Sequence, residues 1–164
     1  MAFLTQAMNL FTQAPVLGLV SMIPSPNVVS AQILSTSSAT AIQVGSAVKL
    51  VDGAAGSILV DVCTGPTDGP VYGVILYDAR KNLYAANDIV TIGCSDTYVY
   101  LRTSAAVARG AKVTTTAATT TTDALVTTVS APTTQYVTGI AIDKAAAAND
   151  LIRVRIAPSL NLGV

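Results

Sequence analysis

Apolar positions in this chain recur in short runs and at a period of two, not at the three-and-four spacing of an amphipathic helix. The clearest case is Ser95–Thr103. There Thr97, Val99 and Leu101 fall on one face, and Tyr98, Tyr100 and Arg102 on the other. A strand places alternate side chains on opposite faces, so this pattern predicts a strand. Ala47–Val51, Gly73–Leu76, Ile89–Ile92, Lys112–Thr116, Gly139–Ile142 and Leu151–Ile156 give further strand signals. Val113–Thr134 is rich in Thr and nearly chargeless, and Ala124–Val129 reads as a returning strand, which predicts a long hairpin or loop projecting from the body. Asp52-Gly53, Asp68-Gly69 and two Asn-Asp pairs mark turns, because Asn and Asp bond their own backbone and tolerate unusual φ. Gly65, Gly69 and Gly73, interleaved with Pro66 and Pro70, read the same way. Helix is predicted at most for Phe3–Phe11. The sum is an all-β fold, a small β-barrel or sandwich.

The strand signals come twice. Gly45-Ser-Ala-Val48 is matched by Gly110-Ala-Lys-Val113, and Tyr72-Gly-Val-Ile-Leu-Tyr-Asp78 by Thr138-Gly-Ile-Ala-Ile-Asp143. Ala86-Asn-Asp-Ile-Val-Thr-Ile92 is matched by Ala148-Asn-Asp-Leu-Ile-Arg-Val154. The offsets are 65, 66 and 62 residues, so order is kept and loops change length. The fold is therefore expected to consist of two related halves, about 45–94 and 110–158, each supplying one side of the barrel or sandwich.

No Asp, Glu, Lys or Arg occurs before Lys49. A secretory signal needs a basic start, and none precedes the apolar run Pro15–Ile23. A membrane helix needs about 20 apolar residues; this run is shorter and is bracketed by Pro15, Pro24 and Pro26. Disordered tails are usually charged and poor in large hydrophobics. The segment is therefore expected to be buried against protein. Two destinations remain open: the chain's own core, or a neighbouring subunit. The prolines favour an extended arm over residues 1–29, followed by a β domain over 30–164. Partner-binding candidates on the arm are Phe3, Leu4, Leu10, Phe11, Val16, Leu17 and Leu19. Tyr98 and Tyr100 join them as a Tyr stripe that is either a contact surface or one face of a two-sided core.

Composition supports strand. Hydrophobic residues make up 51% of the 164 and charged residues 11%, with no Trp, His or Glu. Strong helix formers are scarce; Val, Ile and Thr are abundant. Net charge is zero, so the basic surplus of a nucleic-acid binder is missing. A charge-poor surface resists self-association weakly, which suits a homo-oligomer.

Candidate chemistry is thin. Without His, Ser-His-Asp and Cys-His triads cannot be built as usual. All nine acidic groups are aspartates, most in turn contexts, and no phosphate-binding or calcium-loop motif occurs. Cys63 and Cys94 lack further Cys or His to hold zinc; they either pair or are small buried residues. No enzyme activity, cofactor or metal is expected.

The segments Gly45–Gly53, Val71–Asp78, Ala86–Ile92 and Gly139–Val154 together resemble the capsid cement, or head decoration, proteins of tailed bacteriophages, over roughly Ser30 to Pro158. The resemblance implies a small β-rich protein, often trimeric, that binds the outside of an icosahedral head through the major capsid protein and reinforces it. It implies residence on the virion, and in the host cytoplasm during assembly. On the charge balance and the short apolar run, neither nucleic acid nor membrane is expected as a partner. Two other roles stay open: a tail or baseplate component, and a secreted carbohydrate-binding module. The scarcity of aromatics argues against the last.

Overall fold

The structure is a computed structural model that describes residues 17–18, 27–34, 42–53, 57–116, 125–130 and 134–160. Twelve strands are present among them. In the first half they are β1 (Val28–Ile33), β2 (Ile42–Gln43), β3 (Ala47–Val51), β4 (Leu59–Val62), β5 (Gly73–Ile75), β6 (Leu83–Tyr84) and β7 (Ile89–Gly93). In the second they are β8 (Tyr98–Thr103), β9 (Lys112–Thr115), β10 (Leu125–Thr128), β11 (Tyr136–Ala141) and β12 (Leu151–Leu160).

The all-β prediction holds, and the two halves are related. Each half nevertheless closes its own five-stranded barrel instead of supplying one side of a shared one. The orders are β1-β4-β3-β5-β7 and β8-β10-β9-β11-β12, closing back on β1 and β8. In each barrel one pair is parallel, β1 with β4 and β8 with β10, and the other pairs are antiparallel. The physical reason is strand number. The duplication exposes three strands per half, but β1 and β4, with β8 and β10, bring the count to five. Closure then leaves no barrel strand with a bare edge.

The internal repeat extends to individual backbone hydrogen bonds. Ile33 N–H donates to the Asp88 carbonyl at 2.9 Å, as Thr103 N–H does to Asp150 at 3.0 Å. Gly45 N–H reaches the Ile75 carbonyl, and Gly110 N–H the Ala141 carbonyl, both at 2.8 Å. Both Asn-Asp turns put Asn in the left-handed region, Asn87 at φ 70° and Asn149 at φ 68°. In both, the Asp carboxylate closes the turn: Asp88 accepts from Ala85 N–H, and Asp150 from Ala146 and Ala147 N–H. Gly73 opens β5 and is not a turn residue; it pairs with Val48 as Gly139 pairs with Val113.

The predicted strand Ser95–Thr103 begins at Tyr98, because Ser95 and Asp96 form a turn with Asp96 at φ 67°. From there its alternation is as read: Val99, Leu101 and Thr103 are buried, while Tyr98, Tyr100 and Arg102 are half-buried. The Thr-rich segment is a hairpin, β9 against β10, whose tip lies outside the described residues. Cys63 and Cys94 are free and buried. Burial pushes the Cys63 thiol up to about 12, so it is inert as a nucleophile.

The barrel interiors differ. The first is filled by Ile33, Val48, Val60, Ile75 and Ile92, whereas the second also buries Thr103 and Thr115; Thr114 and Thr138 alternate with the inward residues of their strands and are buried on the other face. The Thr103 hydroxyl donates to the Ala147 carbonyl at 3.1 Å. Those of Thr114 and Thr138 have no partner among the described residues. A buried hydroxyl without a partner costs about 1–3 kcal/mol. Thr138→Val, which keeps the shape and removes that cost, is expected to raise stability by about 1 kcal/mol. Urea unfolding of the single variant checks it; a lowered midpoint contradicts the absence of a partner.

Leu17 and Gly18 sit at the joint between the barrels. Gly18 N–H donates to the Tyr100 carbonyl on β8 at 2.7 Å, and the Gly18 carbonyl accepts from Tyr77 N–H, just past β5, at 3.0 Å. The Leu17 side chain enters a core cluster that spans both halves. A second tie runs from Tyr136 N–H to the Pro66 carbonyl at 2.8 Å.

Candidate partner-binding surface

Strand pairing sets the neighbours of the Tyr stripe. β8 lies antiparallel to β12, so Tyr98 stands opposite Arg155, Tyr100 opposite Arg153, and Arg102 opposite Leu151. Across β12 on the other side, Ile140 of β11 pairs with Arg155, and Lys112 of β9 pairs with Ile140. The outer wall of the second barrel is therefore a ladder of tyrosine and cation. No Asp occurs in any of its five strands.

Arg153 is fixed in place. Its Nε and Nη2 donate to the two Asp143 oxygens at 2.8 and 2.7 Å, a bidentate fork. That hydrogen bonding holds the Asp143 carboxyl below its ordinary value. Arg155, two residues on, has a buried Nε with no acceptor among the described residues. A cleft of about 330 Å³ is lined by Asp96, Lys112, Ile140 and Pro158 among others.

The first barrel has a different exterior. Its half of the chain, residues 1–94, carries three Lys or Arg against five Asp; residues 95–164 carry six against four. Lys49 is engaged by Asp68, whose other oxygen accepts from Thr64 N–H and hydroxyl. Burial pushes the Asp68 carboxyl up, but Lys49 and Thr64 outweigh it and the net shift is downward. Ile58 and Ile89 flank Gln32 on this barrel, 40% and 74% exposed.

Of the sequence candidates, Tyr98 and Tyr100 lie together on the outer wall. Leu17 is buried in the chain's own core. Phe3, Leu4, Leu10, Phe11, Val16 and Leu19 lie outside the described residues, as does the helix option at Phe3–Phe11. Arg153, Arg155 and Ile140 were not singled out by the sequence. A signal existed in Leu-Ile-Arg-Val-Arg-Ile156, which alternates as well as the Tyr stripe.

Residues 4–157 match the family described as structural cement protein (E217 gp24/Pam3 gp6). This chain belongs to the phage structural cement proteins. The match runs through both barrels and into the uncharged N-terminal segment. No curated protein matches the sequence. Among solved structures, the cement protein is similar to the N base of head fiber gp8.5 in bacteriophage phi29. Identity is 14% and the TM-score 0.48, over 79% of this chain and 92% of that one.

Proposed function

We propose that this cement protein docks on the outer surface of an assembled phage head, through the major capsid protein, and reinforces it by binding alone. The observation that carries this is the family match over 4–157, nearly the whole chain. The surface supports it. Large apolar side chains such as Ile89 are exposed, and Tyr and Arg line one wall, a composition enriched at protein interfaces. The aspartates also fit a non-catalytic role: Asp68, Asp78, Asp88 and Asp150 close turns, Asp143 forks to Arg153, and Asp61 accepts from Val62 N–H. A homotrimer is the proposed arrangement, and the N-terminal arm its proposed intermolecular contact.

Purified protein mixed with undecorated heads tests the reading. Co-sedimentation with heads and a higher temperature of head rupture are expected. Heads that neither bind the protein nor gain heat resistance contradict it.

A further inference from the structure

We infer that the Tyr–Arg wall of β8 and β12 is the surface that engages an acidic, carboxylate-bearing patch of the capsid partner, with Arg155 as its anchor. The inference rests on the cement reading above and names the face and chemistry it uses.

Three observations converge. The first is charge. The chain is neutral overall, yet its cations are sorted: Arg102, Lys112, Arg153 and Arg155 all project from the strands of one barrel, whose nearby acids, Asp143 on Arg153 and Asp96 in the cleft with Lys112, lie outside the strands, and residues 95–164 carry six cations against four Asp. Such sorting leaves the wall complementary to acidic protein surface, which speeds and orients docking. The second is completion. Arg153 already has its carboxylate in Asp143, whereas Arg155, two residues on, has no such fork among the described residues. A guanidinium offers a planar fork to a carboxylate, and the Arg155 side chain as a whole is only half-buried, so a docking Asp or Glu can engage it. The third is rigidity. Tyr98 and Tyr100 are held in a closed barrel, and Tyr buries large area with little entropy loss. Ile140, directly across from Arg155, gives the contact an apolar floor beside the cleft.

The wall does not suit nucleic acid as well. Phosphate binders need a net basic surplus to displace counterions, and this chain has none.

The test measures binding to undecorated heads across a range of salt for the full chain, Arg155→Gln, Arg155→Lys and Tyr98→Ala. Arg80→Gln, on the first half, is the control. Each variant is first checked for a wild-type melting transition. Arg155→Gln is expected to weaken binding by about thirtyfold and flatten its salt dependence, as loss of a buried charged contact does. Arg155→Lys is expected to recover only part of the loss, since an ammonium keeps the charge without the fork. Arg80→Gln should bind as wild type. If wild type binds heads and Arg155→Gln binds equally well at every salt concentration, this face is not the docking surface, though the cement reading stands. If duplex DNA is bound with the same dependence on Arg155, the partner class is wrong. If wild type does not bind heads at all, both readings fall.

Discussion

Gly139→Ala is expected to destabilise the protein by at least about 3 kcal/mol, the upper range for forcing volume into a packed site. A Cβ built on Gly139 stands 2.3 Å from the Arg155 carbonyl oxygen and 2.7 Å from Val154 Cγ1. The first is backbone on the paired strand, so no rotamer change relieves it. Gly139 also follows a register shift in the β11–β12 pairing. The strand already bends there, and closure leaves little room to move aside. Gly73 repeats the arrangement in the first barrel, where a Cβ meets the Gly93 carbonyl oxygen and Ile92 Cγ2, each at 2.5 Å. Two controls separate crowding from backbone preference. Gly110 has open space but φ +79°, so Gly110→Ala should cost only about 1–2 kcal/mol. Gly65 has open space and no positive φ, so Gly65→Ala should be neutral or slightly stabilising. Urea midpoints should rank Gly65→Ala highest, then Gly110→Ala, with Gly139→Ala and Gly73→Ala far below. A wild-type midpoint for Gly139→Ala contradicts the close strand approach.

The same pair of glycines shows why part of this fold is legible in the sequence. Gly73 and Gly139 have no substitute at those contacts, and Gly45, Gly110, Asn87 and Asn149 hold positive φ. Such positions keep their identity in both copies, so the duplication shows through them. β1 and β8 pair with β7 and β12 in equivalent registers, yet Val-Val-Ser-Ala-Gln-Ile33 and Tyr-Val-Tyr-Leu-Arg-Thr103 share only one aligned residue. An inner position asks only for something that packs, and an outer one asks for less. β4 and β10 share Leu-Val, too short to stand out. Two strands per half were therefore unreadable as repeats, and with them the closure of separate barrels. The candidate surface divides similarly. Alternation gives the Tyr stripe locally, but Arg153 and Arg155 come beside it only through the pairing of β8 with β12, a long-range fact. The uncharged N-terminus was legible as something buried; where Leu17 docks was not.

Leu17→Ala is expected to cost about 2–4 kcal/mol, as for other buried Leu truncations. Leu17 is 8% exposed, and its Cδ1 lies against Gly45, where even a glycine-to-alanine change would crowd it at 2.9 Å. The loss falls at the joint, because Gly18 beside it bonds one barrel through Tyr100 and the other through Tyr77. This dipeptide also allows the two destinations of the uncharged segment to be tested apart. Deleting residues 2–14 leaves Leu17 and Gly18 in the chain. Deleting 2–26 removes both. The shorter deletion is expected to melt as wild type and to lose head binding, because the arm before the joint is proposed to contact a neighbour. The longer one is expected to lose stability by at least as much as Leu17→Ala, since it removes the side chain and both backbone bonds. If the shorter deletion unfolds or aggregates, the arm belongs to the chain's own core. If it melts as wild type and still binds heads at full strength, the arm has no attachment role. Leu17→Ala itself should weaken head binding only as far as it unfolds the protein, because a side chain buried at the joint has no surface left for a partner.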